Sequence, residues 1–337
     1  MEFNKNLNSF FDIKTLIYLK ESSYQIKRKA QYLSEDYKKY NLKRRKHGKK
    51  FIIKYKKFSF SKLKSHKSKR LVIKSLKFLK KKSIRSFFEY FLIHGSYASN
   101  DYIDGWSDLD TFVVISDDCL LNYKYLIKLR SSLKRFYKIL LTYSPFQHHG
   151  LIFFSKADLL NYNNNLMPVE ALKYNYSIIN PKKNDLEINI SSNKLISAKK
   201  SLKERLYYIK IALKDGYYQH HVFGNRKLKV PIEINDQSIK QFITHVNYIL
   251  NIPILFLSSI KKSSHKKASY KIFYKKIKNT EVERFIKKHE YFRKNWKKFK
   301  STKKINLKIL NYFGENYFNE CKKTIEFILK KIESYTR

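Results

Sequence analysis

At 337 residues, with 43% hydrophobic and 16% aromatic content, the chain has material for one large domain or two ordinary ones, and pervasive disorder is excluded. Seventy-three Lys and Arg against 27 Asp and Glu give a formal charge of +46. Such a field attracts nucleic acid, nucleotides or an anionic membrane surface and disfavours cationic small molecules. Seven glycines and five prolines exclude a chain dominated by tight turns and favour long helices with a limited sheet.

Residues 1–88 open with helical periodicity, in which Phe10, Ile13, Ile17 and Leu19 share an apolar face. From Tyr37 to Phe88 there is no Asp or Glu, and Ile and aromatics interleave with Lys, which reads as a positively charged strand or helix surface. Residues 89–191 read as α/β: strands at EYFLIHG and LDTFVVIS, an amphipathic helix from Leu120 to Tyr143, a third strand at 148–154 and an edge strand at 185–191. Residues 192–337 read as helical throughout, with helices over 195–220, 236–261, 281–299 and 314–334, the second capped by Asp236. The fold class expected is α+β, a small mixed sheet flanked by an N-terminal helical and basic segment and a C-terminal helical domain.

AT-rich codon usage explains Lys over Arg, but not the scarcity of Asp and Glu. Cys119 and Cys321 lie far apart without metal-type spacing and read as free thiols of a reducing compartment. Glu2 comes early and no small-residue cleavage site follows, so no signal peptide is expected. The apolar run 248–260 is shorter than the roughly 20 residues of a membrane span. It reads as a buried helix in which Pro253 is a kink or an early-turn residue. The expected compartment is the cytoplasm.

Asp108-Leu109-Asp110 concentrates carboxylates in a chain poor in them. On a strand, residues i and i+2 share a face, so both aspartates point one way and Leu109 the other, into the core. Neighbouring carboxylates repel, and a hard divalent cation such as Mg²⁺ removes the conflict. Gly95-Ser96 follows a strand where the backbone can approach a ligand, and its N–H groups and the Ser96 hydroxyl suit phosphate oxygens. The plainer reading makes Gly95 a turn and the aspartates solvent-facing strand ends; Asp is unfavourable in strands, and two on one face need a reason.

The stretch HGSYASNDYIDGWSDLD, residues 94–110, resembles the signature of the nucleotidyltransferase superfamily that includes DNA polymerase beta. It is closest to the minimal nucleotidyltransferase and poly(A) polymerase-like branches. Gly95, Ser96, Ala98, Ser107, Asp108 and Asp110 match, while Ser99 stands where the family often has Arg, which removes a phosphate-binding cation. The resemblance implies transfer of a nucleoside monophosphate from a nucleoside triphosphate, ATP first, to an acceptor hydroxyl. Asp108 and Asp110 would hold two Mg²⁺ ions, and Gly95, Ser96 and Ser107 would bind the nucleotide. The C-terminal helices would close over it and select the acceptor.

The family's third carboxylate, carried on the next strand, is missing. That segment begins Gln147-His148-His149-Gly150. His149, nearer the start of regular pairing, is the expected replacement, with His148 the alternative and Asp158, Glu170 or Glu187 as relocated acids. A degenerate fold that only binds nucleotide or nucleic acid is the competing reading. His220 and His221 read as a surface or interface pair, Asp104-Gly105 as a turn, and the aromatics of 289–296 as core. An RNA end is expected as acceptor ahead of a protein or small molecule, from the charge and the aromatic-laced basic segment 38–83.

Overall fold

The structure is a computed structural model and describes residues 2–42, 49–57, 73–74, 76–79, 81–99, 101–143, 147, 150–162, 167, 169–179, 185–190, 194–222, 226–231, 239–260, 266–300 and 305–336. The chain divides into two compact units, Met1–Ser192 and Asn193–Arg337.

In chain order the strands of the first unit are β1 (Lys49–Lys54), β2 (Lys56–Lys57), β3 (Phe88–Ile93), β4 (Thr111–Ile115), β5 (Phe153–Phe154), β6 (Tyr176–Ser177) and β7 (Asp185–Ile190). Five form one mixed sheet in the order β2-β6-β3-β4-β5. β3 and β4 run antiparallel, and β4 and β5 run parallel. Every residue of β4 is buried, which its Thr-Phe-Val-Val-Ile sequence allows.

Alternation along β4 feeds two cores. Val113 and Ile115 join Phe91, Ile93 and Phe153 against the helices Glu2–Phe10, Ile13–Tyr18, Ser23–Leu42 and Tyr123–Tyr143. Phe112 and Val114 join Leu92 and Phe154 against Ile53, Leu186 and Ile188. The segment expected as an edge strand, 185–191, is a strand over Asp185–Ile190 that pairs with β1 in a separate two-stranded antiparallel ribbon. Its alternating apolar side chains are satisfied by covering the sheet face, not by extending its edge.

The described helices of residues 1–88 share the sheet's core and do not form a segment of their own. Asp12 caps the helix Ile13–Tyr18 by accepting from the Lys14 N–H at 3.2 Å. The break there separates Phe10 from Ile13 and Ile17, which were expected on one helical face with Leu19, and Leu19 ends up exposed. Arg130 ties these helices to Tyr123–Tyr143: its buried guanidinium lies 4.5 Å from the centre of the Phe10 ring and donates to Phe10 O and to the Glu21 carboxylate. Half of the basic segment 38–83 lies outside the described residues; within β1, Lys50 pairs with Glu187 at 2.8 Å.

Among its described residues the second unit is helical, turns aside, except for one hairpin, β8 (Tyr217–Val222) with β9 (Arg226–Pro231). The sequence reading ran a helix to residue 220. The helix Lys194–Asp215 ends one turn earlier because Gly216 takes φ +73, the left-handed conformation that terminates helices. His220 and His221 therefore lie on β8. The expected helix 236–261 is two, Ile239–Leu250 and Ile252–Ser259, with Pro253 in the first turn of the second. Asp236 lies outside the described residues. Phe242, Phe292, Phe313 and Tyr317 pack ring to ring, and Trp296 is fully buried. No described helix is long and apolar enough to cross a membrane.

Candidate functional site

β3 runs into Gly95 and β4 leaves from Asp110. The His94 N–H donates to Asp110 O at 3.1 Å, one rung beyond the last paired residues, Ile93 and Thr111. Asp108 to Asp110 thus sit immediately ahead of β4, not within it as the sequence reading had them. Leu109 is 1% exposed and packs with Val113 and Ile115. Both aspartates are half-buried.

Gly95 brings the two halves together. It has φ +67, a region that disfavours side chains, and it turns the chain into the single helical turn Gly95–Ala98. A Cβ built on it would lie 2.1 Å from Asp110 Oδ2 and 2.9 Å from Cγ. The Asp110 carboxylate therefore occupies the space a side chain at 95 would need.

The intervening loop is tied internally. Ser99 N–H donates to Gly95 O and Asp101 N–H to Ser96 O, both at 3.0 Å. Tyr97 and Tyr102 rings meet with centroids 4.3 Å apart. Ser107 donates from its N–H to Ile103 O at 2.9 Å, and its hydroxyl accepts from the Ile103 N–H at 3.0 Å. Gly105, at φ +71, makes the turn expected of Asp104-Gly105. Burial pushes the Tyr97 phenol well above its ordinary range, and Tyr102, Asp104 and Asp108 push it further. Tyr97 stays protonated, and the carboxylates around it make a locally negative field in a strongly cationic chain.

Gln147 was not singled out in the sequence. It is 1% exposed; its Oε1 accepts from the Leu109 N–H at 2.8 Å and its Nε2 donates to Leu109 O at 3.4 Å. One side-chain amide thus grips both polar groups of the residue between the aspartates, as a neighbouring strand would. Farther on, Ile152 N–H donates to Thr111 Oγ1 at 3.4 Å and Ile152 O accepts from Val113 N–H at 3.0 Å. Tyr137 anchors this segment by accepting from Leu151 N–H at 2.9 Å and donating to Phe11 O at 3.1 Å. Gly150 is needed there, since a Cβ would lie 2.6 Å from the Tyr137 oxygen.

The candidate third ligands divide differently. His148 and His149 lie outside the described residues, as does the side chain of Glu170. Asp158 is a structural residue: Oδ2 accepts from Ser155 N–H, the Ser155 hydroxyl and Asn4 Nδ2, and Oδ1 accepts from the Tyr40 hydroxyl. It completes a capping box at the far end of β5, whereas Asp110 precedes β4 in a parallel pair. Glu187 is exposed on the ribbon beside Lys50.

The donor set suits a hard cation. Two carboxylates supply oxygen ligands, and Asp110 sets one against the Gly95 turn, where phosphate oxygens would complete a Mg²⁺ shell. Among the described residues no group of three His, Cys, Asp or Glu side chains gathers around a common point, so the fit rests on the aspartate pair. The chain matches no protein-family model, no curated protein and no solved structure.

Proposed function

We propose that this chain is a metal-dependent nucleotidyltransferase that moves a nucleoside monophosphate from a nucleoside triphosphate, ATP first, to an acceptor hydroxyl on an RNA end. The observation that carries the reading is the Asp110 carboxylate lodged in the side-chain space of Gly95. The acid and the Gly-Ser turn are thereby parts of one site, which supports the resemblance seen in residues 94–110.

Asp108 and Asp110 are the residues that would hold Mg²⁺. When bound, Mg²⁺ neutralises phosphate charge and polarises the phosphorus as a Lewis acid. Gln147 holds the backbone of the residue between the two carboxylates. The Gly95-Ser96 turn offers backbone and hydroxyl donors to phosphate oxygens. The acceptor oxygen bonds to the α-phosphorus while that phosphorus loses its bridge to the β-phosphate. Pyrophosphate leaves, and the acceptor's proton passes to a base, for which His149 is the proposed residue. The net charge of +46 favours polyanionic substrates.

A second reading, a nucleotide-binding protein without transferase activity, has one observation in its favour. Asp158, an acid near β5, is committed to a helix cap. Incubation with each labelled nucleoside triphosphate, Mg²⁺ and total RNA separates the two. The transferase reading expects pyrophosphate release with at least one nucleotide. Nucleotide binding without release, under every combination, supports the second reading and refutes the first.

A further inference from the structure

The helix Thr280–Lys294 is two-sided. Asn279 caps it, accepting from Val282 N–H at 2.8 Å, and Phe285, Ile286, His289 and Phe292 bury one face. Opposite them Arg284, Lys287, Tyr291 and Lys294 recur at helical spacing, and all four are exposed. Residues 280–300 carry eight Lys and Arg against three Glu. Of those acids, Glu283 is paired with Lys287 at 2.6 Å, and Glu290 accepts from the Tyr274 hydroxyl at 2.8 Å.

Tyr291, expected in the core with the other aromatics of 289–296, is instead 53% exposed, yet its ring is braced. It stacks on Tyr312 with centroids 6.1 Å apart and planes 20° apart. Tyr312 is itself fixed by donating to Lys288 O at 2.9 Å and by stacking on Phe292 at 5.8 Å. Lys308, one turn before Tyr312, is exposed and reaches Lys298 O at 3.1 Å. A pre-ordered aromatic ring is thus presented to solvent among cations, and holding it there costs no ordering entropy on binding.

We propose that this face of the second unit is a docking surface for single-stranded nucleic acid, with phosphates on Arg284, Lys294 and Lys298 and a base stacked on Tyr291. Every base has a π-face, and single strands leave it available, whereas duplex bases are already stacked. A membrane-binding helix would instead line one side with Trp, Phe and Leu. The surface does not depend on the transferase site, so Asp108→Ala and Asp110→Ala leave it unchanged.

The test uses the full chain with fluorescent oligouridylate, the matching duplex and phosphatidylserine vesicles. Binding to the single strand should weaken steeply with salt. Tyr291→Ala and Tyr291→Leu should each weaken it about tenfold without altering the salt slope, while Tyr291→Phe retains it. Tyr291→Leu keeps the bulk over Tyr312, so its loss separates stacking from folding. Lys294→Ala should reduce the slope by about one. Unchanged affinity in Tyr291→Leu, equal affinity for the duplex, or Tyr291-dependent binding to vesicles but not to oligouridylate would each overturn the proposal.

Discussion

An alanine at position 95 meets two obstacles at once. Its methyl carbon would lie 2.1 Å from Asp110 Oδ2, and φ +67 disfavours any Cβ. Gly95→Ala should destabilise the chain by about 1–3 kcal/mol, read by thermal denaturation, and displace the Asp110 carboxylate. Gln147→Ala removes the partner of a buried N–H and should lower stability by about 1–3 kcal/mol in urea unfolding. It should also lower transfer activity, because Leu109 is no longer held between the aspartates. At this scale the sequence revealed what is local. Gly95, Ser96, Asp108 and Asp110 form a short pattern whose chemistry is readable. Gln147 acts on a residue 38 positions away, a distance at which a lone polar side chain carries no signal. Asp158 looked like a spare acid because its partners Asn4 and Tyr40 come from the other end of the unit.

Among the elements, Arg130 is the joint between the first helices and Tyr123–Tyr143. Arg130→Ala leaves Glu21, 9% exposed in its side chain, with the solvent-exposed Lys29 as its remaining cation among the described residues. The expected loss is about 1.5–3 kcal/mol in chemical denaturation, while Arg130→Met, which removes the charge but keeps apolar bulk, should lose less. The helix Thr280–Lys294 carries a pH dependence. Burial, opposed by the hydrogen bond to Phe285 O and helped by a smaller push from Lys288, lowers the His289 pKa to about 3. Tyr317 donates its hydroxyl to the other ring nitrogen at 2.9 Å. Between that value and the ordinary 6.5 the unfolded chain binds more protons, so stability falls as pH falls, by up to about 1.4 kcal/mol per unit. Urea midpoints measured across this window should slope accordingly, and His289→Gln should flatten the slope. Apolar periodicity made the long helices legible, because burial follows the helical repeat. The β1–β7 ribbon was not legible, since its pairing of Lys49 with Ile190 is a long-range register that local alternation does not encode. The β8–β9 hairpin was missed because its apolar and basic composition continues that of the preceding helix, although Gly216 marks the helix end and Gly224-Asn225 is a turn dipeptide between the two runs.

Across the whole molecule, composition anticipated a mixed α and β chain with ample core, and the helices, small sheets and buried apolar clusters bear that out. It did not anticipate that the first helices and the sheet share one core, because Phe3, Leu7 and Phe10 meet Phe153 only after folding. The charge of +46 sets an unusual background for the carboxylates beside the Gly95 turn. The central claim is that Asp108 and Asp110 make a metal site for nucleotidyl transfer. Its most direct test is Mg²⁺-dependent pyrophosphate release from a nucleoside triphosphate by the wild-type chain and by the Asp108→Ala, Asp110→Ala double variant, both confirmed as folded. The prediction is release by the wild type that the double variant abolishes; release that survives in the double variant contradicts it.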